Sequence, residues 1–408
     1  MASLPHPALT SLPTRCLTLG IGLGLTVAYL IRTTSHSLTN QTTRKWISAP
    51  SPPSPSSSSS HPYPPSALPG SRLVPTPYGT IQVYEFGPAT GEKVLFLPGI
   101  GTPVVALGDL ALRLAELGHR VMLFDLFGRG YSDAPVGVAY DERLYASQVL
   151  MVLASSPLCW TGSDAFHLVG YSLGGGVAVA FARYFGGMVR SLVCVAGGGL
   201  IRKKTHVGWR SRVLYSVGWV PQWVLERMVE RRIRPARRGG GEDGEGEVDT
   251  EGRGEDSDAN GGKGWDSTLL SRRRGGGHTV ADVMEWQIRE HRGFVKAFMS
   301  SIRYAPIYDR REDWAALGEL LAERRRDPEV AGLRAGKVLL VLGRTDSVVV
   351  MEEVVEDATA LLGADGVDVV EIDAGHELAF THADEVAGAA VRFWRRESVL
   401  DAPGWVVS

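Results

Sequence analysis

Apolar runs of strand length alternate with helical stretches from residue 93 to residue 199, stop for about 137 residues, and resume at residue 337. The runs are Lys93-Val94-Leu95-Phe96-Leu97, Arg120-Val121-Met122-Leu123-Phe124, Ala165-Phe166-His167-Leu168-Val169 and Ser191-Leu192-Val193-Cys194-Val195. After the interruption come Lys337-Val338-Leu339-Leu340-Val341-Leu342 and Val367-Asp368-Val369-Val370-Glu371-Ile372. Residues 103–117, 142–153 and 174–185 carry the helical patterns between them. Strands this apolar have no face to offer to water, so each must be covered on both sides, the condition met by a parallel sheet with its crossover helices above and below. The spacing predicts an α/β fold with a mostly parallel, doubly wound sheet and a helical cap inserted at residues 200–336. In such sheets the functional site lies beyond the carboxyl ends of the strands.

Four strand ends carry residues suited to chemistry. After the strand ending at Val169 stands Gly170-Tyr171-Ser172-Leu173-Gly174-Gly175-Gly176, a G-x-S-x-G pattern between a strand and a helix. Glycines on both sides let the chain turn sharply, so the Ser172 hydroxyl is held at a helix N-terminus, where partial positive charge favours a developing anion. After residues 93–97 comes Pro98-Gly99-Ile100-Gly101-Thr102, whose glycines allow the Ile100 amide to point where the Leu173 amide points. Two such donors aimed at one oxygen form an oxyanion hole. Asp346 follows the resumed strand, and His376 follows the last one. A serine hydroxyl needs a base to take its proton, and the base needs a carboxylate to orient it and stabilise its charged form. The order Ser172, Asp346, His376 is the one found on such sheets. Asp373, close to His376, competes with Asp346 as the acid. His119, His167, His206, His278, His291 and His382 follow no comparable motif and read as structural or solvated.

A net charge of −2 over 408 residues, with no basic stripe, argues against a nucleic-acid partner, while 44% hydrophobic content is ample for a large core. Cys16, Cys159 and Cys194 have neither metal-ligand spacing nor the pattern of a disulfide framework. No metal or organic cofactor is implied.

At the N-terminus, residues 1–47 read as a targeting or anchor segment around the apolar run 16–31, which is bracketed by Arg15 and Arg32. An uncleaved membrane anchor, a mitochondrial presequence and a secretory signal all compete for it. The expected location is therefore membrane-associated through residues 16–31, with a mitochondrial or secretory location after cleavage as the alternative. Residues 48–70, rich in serine and proline, read as a disordered linker. The core is expected at 71–199 and 337–398, opened by a hairpin through Pro77-Tyr78-Gly79. Within the cap, residues 235–278 are nearly devoid of apolar side chains and read as a disordered charged insert. Trp209, Trp219, Trp223, Trp286 and Phe294 are candidates to wall a substrate cavity.

Taken together, Leu97-Pro98-Gly99-Ile100, Phe124-Asp125-Leu126-Phe127-Gly128-Arg129-Gly130-Tyr131-Ser132-Asp133, Gly170-Tyr171-Ser172-Leu173-Gly174-Gly175, Leu342-Gly343-Arg344-Thr345-Asp346 and Gly375-His376-Glu377 resemble α/β-hydrolase fold serine hydrolases of the capped, esterase and lipase-like kind. The resemblance implies Ser172 as nucleophile, His376 as base, Asp346 as acid, and the Ile100 and Leu173 amides as oxyanion donors. A serine nucleophile favours a small-molecule acyl substrate such as a carboxylic ester, and an apolar cap with a membrane tether puts hydrophobic or lipid-like esters first. Carbon–carbon bond or amide hydrolysis by the same residues and a non-catalytic ligand receptor are the alternatives. The stretch 125–133 is a family turn that shapes its loop. In one departure, Pro98 stands where members commonly carry a histidine that supports the oxyanion loop, which leaves the loop's shape open and its backbone donors in place.

Overall fold

The computed structural model describes residues 45–53, 61–208, 220–235, 264–273 and 277–400. An antiparallel hairpin of β1 (Ser71–Thr76) and β2 (Gly79–Phe86) leads into β3 (Lys93–Leu97), β4 (Arg120–Phe124), β5 (Phe166–Tyr171), β6 (Val189–Val195), β7 (Val338–Gly343) and β8 (Val367–Ile372). These form an eight-stranded sheet in the order β8-β7-β6-β5-β3-β4-β2-β1. The pairs from β8 to β4 are parallel, and only β2 breaks the direction, against β4 and β1. Every residue of β3, β5 and β7 is buried, as their largely apolar composition requires. Strand β8 lies at the edge and alternates between half-buried and exposed positions.

Helices α1 (Gly108–Glu116) and α9 (Ala383–Leu400) pack together on one face. The other face carries α2 (Glu142–Ala154), α3 (Leu173–Phe185), α7 (Arg311–Arg326) and α8 (Met351–Leu362). Between β6 and α7 the chain forms α4 (Gln222–Ile233), α5 (Val280–Glu290) and α6 (Phe294–Tyr304), which pack on one another as a cap. The start of α5 is secured by a capping box in which Thr279 and Asp282 exchange hydrogen bonds. Helix α7, placed in the cap by its position in the sequence, belongs instead to the helical layer of the sheet. It packs against α3 and α8, with Trp314 buried.

From β3 the chain runs outward to β4, then returns to the opposite side of β3 to form β5. Loops leaving β3 and β5 therefore part in opposite directions, which opens a crevice at their carboxyl ends, where Leu97 pairs with Gly170. The sheet topology thus places the crevice between the two loops that carry Ile100 and Ser172.

The end of the segment read as a targeting or anchor segment and parts of the two segments read as disordered are packed. Trp46–Ile47 pairs with Ala134–Pro135, and the Ala49 N–H donates to Asp133 Oδ1 at 2.7 Å. Tyr63 and Leu68 enter the core, and the Tyr131 hydroxyl donates to the Tyr63 carbonyl at 2.7 Å. Serine and proline dominate the composition here, but a few large side chains suffice to dock the segment because Tyr131 and Trp286 receive Tyr63. The serine run 56–60 lies outside the described residues. In the charged tract, Asp109 accepts hydrogen bonds from the Ser271 hydroxyl and from the Arg272 and Arg273 amides, which fastens residues 271–273 to α1. Residues 236–263 and 274–276 are outside the described residues, as are the apolar run 16–31, Trp209 and Trp219. Among the described residues no helix is long and apolar enough to cross a membrane.

Candidate active site

Ser172 sits between β5 and α3 with φ 52° and ψ −121°, a conformation that a side chain bearing a Cβ adopts only under constraint. The constraint is visible on all sides. The Ser172 N–H donates to the Val195 carbonyl at 3.2 Å, and its carbonyl accepts from Gly175 and Gly198 at 2.8 Å each. The glycines around it leave no space: a Cβ on Gly174 would lie 2.1 Å from the Leu97 carbonyl oxygen, and one on Gly176 would lie 1.8 Å from that of Pro306.

The Ser172 hydroxyl meets His376 Nε2 at 2.9 Å, and His376 Nδ1 meets Asp346 Oδ2 at 2.8 Å. Asp346 Oδ1 accepts the amides of Val348 and Val349 at 2.8 and 2.9 Å, so the carboxylate is held from both ends. Asp346 and His376 are both buried, whereas Asp373 is exposed and lies off the relay. Of the two carboxylates, Asp346 is the one brought against His376, since β7 and β8 are neighbours and their carboxyl ends lie side by side. Tyr171, one residue before the serine, donates its hydroxyl to the His376 carbonyl at 2.9 Å and fixes the histidine loop to the elbow.

Ile100 and Leu173 line the pocket into which Ser172 opens, and neither amide N–H donates to a described protein group. The pocket, about 390 Å³ including its open mouth, is completed by Ile201, His206, Ile302, Ile307, Tyr308 and Val348. A serine hydroxyl against a buried histidine and carboxylate, at an apolar pocket lined by Ile100 and Leu173, is an arrangement chemically suited to addition to a carbonyl carbon.

A model of the alpha/beta hydrolase fold family matches residues 93–383, well over half of the chain. The chain belongs to the alpha/beta hydrolase fold family. It is 36% identical over 109 residues to a Variovorax paradoxus (strain S110) protein named "Putative carbamate hydrolase RutD", covering 27% of this chain and 39% of that one. It is 30% identical over 112 residues to the 2-hydroxymuconate semialdehyde hydrolase of Pseudomonas sp. (strain CF600), covering 27% of this chain and 38% of that one. These matches thus span about two fifths of the relatives' own lengths. Among solved structures, a bacterial membrane phospholipase A superposes with a TM-score of 0.52 over 94% of this chain and 97% of its own, at 16% identity, a likeness of fold.

Of the aromatic residues expected to wall the cavity, Trp209 and Trp219 lie outside the described residues, and Trp223, Trp286 and Phe294 do not line this pocket. Trp223 is 72% exposed, Phe294 is buried against Phe298, and Trp286 packs on Tyr63 and Tyr131. Aromatic residues at helical spacing served here to hold the cap together, and aliphatic side chains of α6 and the segment after it line the pocket. Conversely, Trp265, in the tract read as solvated, packs 5.7 Å from His376 and 5.4 Å from Phe380. A lone tryptophan amid glycine and charge was the one signal pointing to it. His206, read as structural or solvated, lines the pocket with Nε2 on Glu353 at 2.8 Å.

The 125–133 stretch is the loop-shaping turn that the resemblance implies. Buried Asp125 accepts the Val104 and Tyr131 amides at 2.8 and 3.0 Å, and burial raises its carboxyl to about 7. A second combination of serine, histidine and acid lies elsewhere in the molecule: His167 Nδ1 is 2.7 Å from the Ser191 hydroxyl and Nε2 is 3.7 Å from Glu92. Ser191 is sealed in the core, and burial lowers His167 to about 4, so this set lacks both access and a competent base at neutral pH.

Proposed function

We propose that the chain is a serine hydrolase that cleaves carboxylic esters with hydrophobic acyl groups through an acyl-enzyme. The observation that carries this reading is the continuous relay Ser172–His376–Asp346, at 2.9 and 2.8 Å, opening onto a pocket lined by Ile100 and Leu173. Ser172 Oγ adds to the ester carbonyl as its proton passes to His376 Nε2. The carbonyl electron pair moves to oxygen, and that oxyanion accepts hydrogen bonds from the Ile100 and Leu173 amides, each worth about 3 kcal/mol of barrier in comparable sites. Asp346 keeps Nδ1 protonated and stabilises the imidazolium. When the intermediate collapses, the proton passes from His376 to the leaving alcohol and an acyl-serine remains. Water then repeats the sequence, with His376 taking its proton, and releases the acid and Ser172.

The aliphatic lining of Ile100, Ile201, Ile302, Ile307 and Val348 favours an apolar acyl chain. Likeness to the 2-hydroxymuconate semialdehyde hydrolase supports carbon–carbon bond cleavage by the same relay as a second reading. A fluorophosphonate probe is expected to label the wild type, with the label absent in Ser172→Ala; a folded wild type that takes no label would sink the serine mechanism. Turnover of acyl esters graded by chain length, beside a vinylogous 1,5-diketone, separates the two substrate classes. The apolar run 16–31 supports attachment to a membrane, which carbonate extraction of the full chain tests: release into the soluble fraction would overturn it.

A further inference from the structure

The oxyanion loop has no side chain of its own able to hold it: Pro98, Gly99, Ile100 and Gly101 offer no side-chain donor or acceptor. Two buried polar residues reach it from elsewhere. Arg129, fully buried in the turn after β4, donates from Nε to the Ile100 carbonyl at 3.1 Å. Its Nη1 donates to the Phe127 carbonyl at 2.9 Å and the Tyr145 hydroxyl at 3.3 Å, and its Nη2 donates to the Ser301 hydroxyl at 2.8 Å. Gln287, also fully buried, donates from Nε2 to the Gly101 carbonyl at 2.9 Å and accepts the Gly130 amide at 2.9 Å. The carbonyls of two successive loop residues are thus gripped from outside. With Leu97 locked in the sheet on the other side, the peptide planes between have little freedom, and the direction of the Ile100 N–H is set.

The charge of Arg129 needs its own explanation. Among the described residues all its hydrogen bonds go to neutral carbonyls and hydroxyls, and the Tyr140 ring lies 5.9 Å from the guanidinium carbon. Burying a cation with no carboxylate partner among the described residues is costly, and a neutral amide of similar length would serve a purely mechanical clamp. A cation bonded to the residue that carries an oxyanion donor has a use when negative charge develops on the substrate oxygen.

We propose that Arg129 and Gln287 are positioning residues of the oxyanion loop: they aim the Ile100 N–H at the substrate oxygen, and Arg129 adds positive potential there. The inference rests on the acyl-transfer reading above. It also joins cap to chemistry, because Gln287 stands on α5 and Ser301 on α6, so docking of the cap and alignment of the loop use the same bonds.

The test uses the full chain and a p-nitrophenyl ester, with active sites counted by fluorophosphonate labelling and phenylboronic acid as a probe of tetrahedral-adduct binding. Gln287→Leu and Arg129→Met are expected to lower kcat per labelled site by about 10- to 1000-fold with KM within about threefold, and to weaken boronate binding by a similar factor. Arg129→Lys, which keeps the charge and loses the fork, should fall between wild type and Arg129→Met. Should Arg129→Met not fold, Gln287→Leu and Arg129→Lys decide the matter. Folded variants with a lower melting temperature but unchanged kcat per labelled site and unchanged boronate affinity would show a merely structural role and overturn the proposal. A wild type that takes no label would instead defeat the acyl-transfer reading and this inference with it.

Discussion

Replacing Asp346 by Asn tests the relay at the point where its geometry makes the sharpest demand. Asp346 Oδ1 faces two donors, the Val348 and Val349 amides, and Oδ2 faces His376 Nδ1. An asparagine must place its carbonyl oxygen where Oδ1 stands, because its NH₂ there would meet two N–H groups. The NH₂ then occupies the Oδ2 position, 2.8 Å from Nδ1, and donates to it. An imidazole that accepts at Nδ1 carries its proton on Nε2, the nitrogen 2.9 Å from the Ser172 hydroxyl. His376 becomes a donor to the serine it has to deprotonate. In a comparable relay on another fold the loss is about 10⁴ in kcat, or about 5 kcal/mol of barrier, and a loss of that order is expected here. The fold should tolerate the change, since the two bonds to Oδ1 are kept. Steady-state ester hydrolysis read beside thermal unfolding supplies the measurement, with Asp373→Asn as control and an expected change of about twofold or less in kcat. An Asp346→Asn enzyme within about tenfold of wild type, or a larger loss in Asp373→Asn, would refute the tautomer argument.

Two further outcomes follow from packing and burial. Gly174→Ala places a methyl group 2.1 Å from the Leu97 carbonyl oxygen, and both atoms belong to backbone fixed in the sheet and its first helical turn, so a loss of more than about 3 kcal/mol in chemical denaturation is expected; a variant within about 1 kcal/mol of wild type would show that the elbow can relax. His167 and His291 are both held down to about 4 by burial, so as pH falls from about 6.5 to about 4 the unfolded chain binds protons that the native chain refuses, and each histidine removes about 3 kcal/mol of stability over that window. Asp125, raised to about 7, acts in the opposite sense, because below pH 7 its native carboxyl keeps a proton that the unfolded chain has shed. The variant His167→Gln should therefore lose about 2 kcal/mol less than wild type between about pH 7 and about pH 5 in urea unfolding; an unchanged pH dependence would contradict the assignment.

The relay was legible because each of its members announces itself locally. Ser172, Asp346 and His376 all stand just beyond apolar runs, and a parallel sheet gathers such positions at one edge without further information. The grip on the oxyanion loop had no such signature. Arg129 reaches Ser301 across 172 positions and Gln287 reaches Gly101 across 186, and neither residue type nor spacing distinguishes them from surface polar groups before the fold is known. The same limit applies to α7, whose place between β6 and β7 is compatible with either a cap helix or a layer helix until its contacts with α3 and α8 are seen. Composition misled at Tyr63 and Trp265 for a related reason: the average of a segment reports its solvation, while one aromatic side chain with a partner decides whether part of it docks.

His376 follows Ser172 by 204 positions and Asp346 by 30, and this spacing has a consequence in time. At a synthesis rate of about 5 to 20 residues per second, roughly 10 to 40 s separate the emergence of the serine from that of the histidine. Strands β3 to β6 and the elbow are complete before β7 and β8 exist. During that interval the nascent chain holds a serine hydroxyl with no base against it, and it gains one only when the last two strands join the sheet beside β6. Under the mechanism proposed above, reactivity waits on the synthesis of residue 376, and a chain cut short before it carries the elbow unarmed.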